Sequence, residues 1–89
     1  MQLNHQLVNT HYIDRIGNVA YAIGKLTDLD ISILDIDMNR AKPVITVQRC
    51  YAVHQLNGVQ FARKGGPAGP INRMQANVHN CRIEWEVQP

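Results

Sequence analysis

Apolar positions along this chain change period, and the changes divide it into one helix followed by strands. From His11 to about Ile23, Tyr12, Ile13, Ile16, Val19, Ala20 and Ile23 recur at helical spacing and form one stripe, which predicts an amphipathic α-helix. Asn9 or Thr10 can cap it, because either side-chain oxygen accepts an unpaired first-turn N–H. Asp14 near its start and Lys25 past its end suit the helix dipole. Gly24 is placed to end the helix, and Gly17 inside it suggests close packing on a sheet. Residues 1–10 are polar, with Leu3, Leu7 and Val8 as the only anchors, and are expected to form a loose arm or a short edge strand.

Residues 30–38 switch to period two, with Leu34, Ile36 and Met38 on one face and Asp35 and Asp37 on the other. Residues 43–49 make the natural partner strand. Pairing Met38 with Pro43 sets Ile36 opposite Ile45, Leu34 opposite Val47 and Asp35 opposite Thr46, so both faces agree. Ile31 and Ile33 fall on the wrong face for that register, which calls for a bulge or a second covered face. The second strand is expected to run on through residues 50–56 and turn at Asn57-Gly58, a type I′ hairpin signal. That turn would pair Leu56 with Val59, His54 with Phe61 and Ala52 with Arg63.

Residues 65–70, rich in glycine and proline, read as an open loop. Met74, Ala76 and Val78 alternate, then Cys81, Ile83, Trp85 and Val87 alternate in a shifted phase, which places a bulge or short turn near Asn80. In the last strand Trp85 faces the core, while Arg82, Glu84 and Glu86 face water. The resulting expectation is a single α+β domain, one N-terminal helix packed on an antiparallel sheet of four or five strands.

At 89 residues the chain buries a modest core, and a homodimer would enlarge it. Apolar residues make up 45% and charged residues 18%, the balance of a folded soluble protein. No apolar run approaches the roughly 20 residues that span a bilayer, and residues 1–9 lack the basic and apolar segments of a signal peptide. A cytoplasmic location is therefore expected, with Cys50 and Cys81 as free thiols. Charge is segregated: residues 1–39 carry two cations against five aspartates, and residues 40–82 carry seven cations and no acid. Glu84 and Glu86 follow, leaving a net charge of +2. Such asymmetry speaks to partners rather than to fold, although an acidic segment packed nearby would also neutralise it.

Candidate chemistry is sparse. Cys50 with His54, and His79 with Cys81, have metal-ligand types, but on a strand residues four apart are separated by about 13 Å and cannot share one ion. Cys50 and His54 also form the one nominal nucleophile–base pair, without an orienting carboxylate nearby. Asp35 and Asp37 could hold Mg²⁺ or act as acid and base, although such a pair is more often the solvent side of a strand. The glycine loop lacks the spacing of a phosphate-binding motif, and Pro67 and Pro70 donate no N–H. Phe61 and Tyr51 could stack on bases, although either can equally belong to a sheet face. No cofactor and no metal are expected.

These residues point to non-enzymatic binding of a protein or nucleoprotein partner. The expected contacts are Arg63, Lys64 and Arg73, with Gly65, Gly66 and Gly69 in the loop and Arg40 and Lys42 nearby. The alternatives are a single-stranded nucleic-acid binder, or a small homodimeric enzyme or ligand-binding protein using Asp35/Asp37 or Cys50/His54. Small size without catalytic motifs is also common among accessory and inhibitor proteins of phages and mobile elements, an analogy of size alone.

Overall fold

The structure, a computed structural model, describes residues 5–88. Helix α1 (His5–Asp28) packs on one face of a five-stranded sheet made of β1 (Ile33–Asp37), β2 (Val44–Val47), β3 (Val59–Gly66), β4 (Gly69–Val78) and β5 (Cys81–Val87). A 3-10 helix (Tyr51–Leu56) links β2 to β3. The fold is α+β with an N-terminal helix on a sheet, as the changes of period predict. Strand order is β1-β2-β5-β4-β3; the contact of β2 with the central strand β5 is parallel and the others are antiparallel, so the sheet is mixed. A parallel contact needs a long crossover. Here the 3-10 helix and the β3–β4 hairpin provide it, an order on which strand periodicity is silent.

Helix α1 outruns its predicted stripe at both ends. Residues 5–10, expected as part of a loose arm or edge strand, are its first turns, and residues 1–4 lie outside the described residues. Gly24 lies inside the helix. The end comes at Asp30, which adopts a left-handed φ of 58°. Ile31 N–H donates to the Leu26 carbonyl at 2.9 Å and Asp30 N–H to Thr27 at 3.0 Å. These bonds satisfy carbonyls the helix leaves open and fold Ile31 back onto Leu26, both buried.

The buried line of α1 is Val19, Ala22 and Leu26, with Ile23 partly covered. Full burial of a side chain such as Leu26 stabilises by about 1.5–3 kcal/mol. Tyr12, Ile13, Ile16 and Ala20, the rest of the predicted stripe, are exposed. Nor does Gly17 touch the sheet, since nothing lies within 4 Å of where its Cβ would stand. Arg15 ties the helix to the β1–β2 turn. Its Nη2 donates to the Met38 and Arg40 carbonyls at 2.7 Å each, and its Nη1 to Ala41 at 2.9 Å.

In the β1–β2 hairpin Ile36 pairs with Ile45 and Asp35 with Thr46, as the pattern predicts. Ile33, not Leu34, faces Val47, because the ladder slips between Ile33 and Asp35. The irregularity required by Ile31 and Ile33 is thus present, and Leu34 is left 64% exposed rather than in the core. At the β4–β5 turn His79 and Asn80 both take left-handed φ, 46° and 64°. That two-residue turn matches strand twist and accounts for the shifted phase near Asn80.

Residues 50–56 do not extend β2. Tyr51–Leu56 is a 3-10 helix, and Asn57 (φ 55°, ψ 47°) is its left-handed C-terminal residue. Asn57-Gly58 therefore closes a helical turn. The expected pairs Leu56–Val59, His54–Phe61 and Ala52–Arg63 do not form, and β3 pairs with β4 instead. Asparagine accepts the left-handed region in either setting, so the dipeptide alone does not separate the two outcomes. The 3-10 helix places Val53 in the core, with Ala52 and Leu56 packed against it. Trp85 is buried with Ile83, as alternation in β5 predicts, and a Cβ on Gly58 would overlap its ring.

Candidate functional site

The face of the sheet opposite α1 is uncovered, and register decides what projects from it. Alternation places Asp35 and Asp37 of β1, Val44 and Thr46 of β2, Arg73, Gln75 and Asn77 of β4, and Arg82, Glu84 and Glu86 of β5 on this side. Strand β3 adds Lys64 and, where its ladder slips between Gln60 and Ala62, Phe61.

Glu84 stands at the centre, between Thr46 of β2 and Gln75 of β4. Arg73 Nη2 donates to its Oε1 at 3.0 Å. Arg82 Nε comes within 2.7 Å of its Oε2, an ion pair without the alignment of a hydrogen bond. The guanidinium carbons of Arg82 and Arg73 lie 4.3 and 5.2 Å from the centroid of the Phe61 ring. Carboxylate, two guanidiniums and ring form one cluster, in which each cation–π contact stabilises by about 0.5–2 kcal/mol. The expectation that Glu84 faces water is corrected, since the residue is only 9% exposed. It sits on a central strand of an uncovered face, where alternation alone reads as wet. Long arginine side chains reaching over it exclude the water.

Around this cluster the charges pair one by one. Lys64 Nζ meets Glu86 Oε1 at 3.0 Å, and Arg40 Nε meets Asp37 Oδ2 at 3.2 Å. Lys42 Nζ donates to Asn77 Oδ1 at 3.5 Å. Arg40, Lys42 and Thr46 line a shallow depression together with the cluster's Phe61, Arg73, Arg82 and Glu84. The Asn39 N–H, which donates to Asp37 at 2.9 Å, and then Arg40 hold the Asp37 carboxyl below its ordinary range.

Of the residues singled out in the sequence, Arg40, Lys42, Lys64 and Arg73 share this face. Arg63 does not: it alternates with Ala62 and Lys64 and points to the other side, exposed. Residues 65–70 are not an open loop. Gly65 pairs with Pro70 and Gly66 with Gly69, leaving Pro67-Ala68 as the tip of the β3–β4 hairpin. Gly69 has φ +112°, which glycine alone adopts readily, and a Cβ on Gly66 would press on Ile71 Cδ1 at 2.8 Å. Gly66 and Gly69 are thus explained by the turn, and Gly65 has open space beside it.

The sequence reading missed Phe61, Arg82 and Glu84 as a unit. Its one linear signal was the i, i+2 spacing of Arg82 and Glu84, to which only the register adds Arg73.

Elsewhere, the strand-distance argument against a Cys50/His54 site does not apply, because the segment is helical. Among the described residues no group of three or more His, Cys, Asp or Glu side chains could hold a metal ion. Cys50 and Cys81 are free thiols, and burial raises the pKa of Cys81. Tyr51, 88% exposed, belongs to the 3-10 helix that packs Val53 into the core with α1, so it shares no surface with Phe61. Among the described residues no helix is long and apolar enough to cross a membrane. Compared with protein-family models, curated proteins and solved structures, the chain matches none of them, so its site is read from its own geometry.

Proposed function

We propose that this chain is a non-enzymatic binding domain whose uncovered sheet face engages an acidic protein surface. The observation that carries this reading is the Arg73–Glu84–Arg82 cluster stacked on Phe61, on a side of the sheet that no helix covers. Arginine and aromatic side chains held in place by their neighbours are the groups that dominate protein interfaces. The surrounding Arg40, Lys42 and Lys64 are available for exchange. Exposed ion pairs such as Lys64–Glu86 stabilise by only about 0–1 kcal/mol, so trading a partner within the fold for a carboxylate on another protein costs little.

A single nucleic-acid strand fits this face less well. Four of the face's five cations, Arg40, Lys64, Arg73 and Arg82, are each paired with a carboxylate of the same face, so no continuous track of unpaired cations follows a phosphate backbone. Arg82 also lies over the Phe61 ring, where a base would have to stack.

The test is affinity capture from a cell lysate by the wild-type chain and by the triple variant Arg40→Glu, Lys42→Glu, Lys64→Glu. The variant is expected to melt like the wild type, because exposed charges contribute little to stability. Capture of a partner that survives nuclease and is lost with the triple variant supports the reading. Capture abolished by nuclease supports nucleic acid instead, and capture unchanged by charge reversal removes this face from consideration.

A further inference from the structure

Helix α1 does not cover the whole of its side of the sheet. A cleft of about 690 Å³ opens over the C-terminal half of β5, and no residue of α1 lines it. Met74 and Trp85 face each other across β4 and β5, and Val87 follows Trp85 at period two, so all three share the helix side and form the floor. The 3-10 helix makes one wall, through Val53 and His54. Val53 and Trp85 are buried, whereas Met74 and Val87 are only partly covered, so the floor keeps apolar surface open to water. Small-molecule sites have volumes of about 300–1,000 Å³, and this cleft falls among them. Its charge is one-sided. No aspartate or glutamate lines it, and the exposed Arg49 stands at its rim. Four cations of the opposite face hold carboxylates, but Arg49 makes no ion pair or hydrogen bond among the described residues.

We propose that this cleft binds a small amphipathic carboxylate, an anion carrying an apolar ring or short chain. The apolar part lies on Met74, Val87 and the edge of the Trp85 indole, where it removes from water a surface the fold leaves open. The carboxylate meets the planar fork of Arg49, which matches its two oxygens and is not already paired. His54 can add a ring N–H from the wall. One guanidinium balances one negative charge, so a monoanion suits the site better than a phosphate dianion. A cationic ligand is disfavoured, because no acid in the lining answers its charge. The cleft is open on one side, which leaves the ligand partly in water and the dissociation constant at about 0.1–1 mM. It lies across the sheet from the Glu84 cluster, so a ligand held here does not compete with a protein held on that face.

Trp85 is the one tryptophan of the chain, so its emission reports on the site directly. Titration of the native protein with 4-phenylbutyrate is expected to change that emission saturably. The same ligand should slow alkylation of half-buried Cys50, which also lines the cleft. Neutral 4-phenylbutanol is expected to bind about tenfold more weakly, because it lacks the charged contact. Arg49 is exposed, so Arg49→Gln should melt like the wild type. That variant is expected to bind the carboxylate about tenfold more weakly and the alcohol as before. Emission that never saturates overturns the proposal, as does equal binding of the acid and the alcohol. So does an Arg49→Gln variant that keeps the full preference for the carboxylate, or saturable binding that leaves Cys50 alkylation unchanged.

Discussion

Adding one methyl group at Gly58 isolates the contact that seats Trp85. A Cβ built there overlaps the indole at Cη2 and Cζ2 and stands 3.1 Å from the Gln75 carbonyl oxygen. The carbonyl belongs to the β4 backbone and has no freedom to yield, so the indole must move. It is 4% exposed and belongs to the core cluster that holds Val53, Ala76 and Ile83, so displacing it disturbs that packing. Overpacking of this kind costs about 1–3 kcal/mol, and each kcal/mol lowers the melting temperature of a domain this size by about 4–8 °C. Gly24→Ala provides the matched control. It adds the same methyl inside a helix with nothing within 4 Å, and stabilises by about 1 kcal/mol. Thermal and urea denaturation, with tryptophan emission as the local reporter, should give opposite signs for the two variants. A Gly58→Asn variant separates close contact from turn geometry. If Gly58 were the second residue of a hairpin turn, asparagine would be tolerated there; against the indole it should be no better than alanine. A Gly58→Ala protein with wild-type stability and wild-type emission refutes the packing described.

Three further outcomes follow from other sites. Asp30→Gly should stabilise by roughly 0.5–1 kcal/mol in denaturant titration, because Asp30 ends α1 in a left-handed conformation that glycine adopts without strain. The lowered pKa of Asp37 makes its contribution to stability complete above the ordinary carboxylate range and lost as pH falls through the folded-state value. Melting curves of Asp37→Asn should accordingly lose part of the wild type's acid-side slope. In thiol labelling of the native protein, half-buried Cys50 should react and Cys81 should wait for unfolding. Cys81 is fully buried, and its raised pKa keeps it protonated in the fold as pH rises through the ordinary thiol range, where the unfolded thiol ionises and stability starts to fall.

What the sequence made legible was local in origin. Period-two alternation located β1, β2, β4 and β5, and matching faces set the Ile36–Ile45 and Asp35–Thr46 pairs, because side-chain phase and register are the same information. Periodicity failed where two structures share a signal. Asn57 takes a left-handed conformation at the end of a 3-10 helix as readily as in a hairpin turn, so residues 50–56 were read as strand. The end of α1 was missed because it depends on Asp30, with Ile31 folding back on Leu26, rather than on a glycine. The helix stripe was misjudged because α1 carries two apolar lines and sequence cannot say which one the sheet takes. At the site, Arg40, Lys42, Lys64 and Arg73 were identified by charge alone. Their grouping with Phe61, Arg82 and Glu84 depends on the parallel β2–β5 contact and the β3 bulge, both set by tertiary packing.

The proposed binding face is tested most directly by an NMR titration with amide and guanidinium signals assigned. One arm uses a poly-glutamate peptide and the other an oligothymidylate of equal charge. The account predicts that the peptide shifts the Arg73 and Arg82 guanidinium signals, the Phe61 ring and the amides around Lys42 and Lys64, leaving the α1 and Trp85 signals in place. Shifts produced by the oligonucleotide alone, or shifts that fall on the helix side of the sheet, would contradict it.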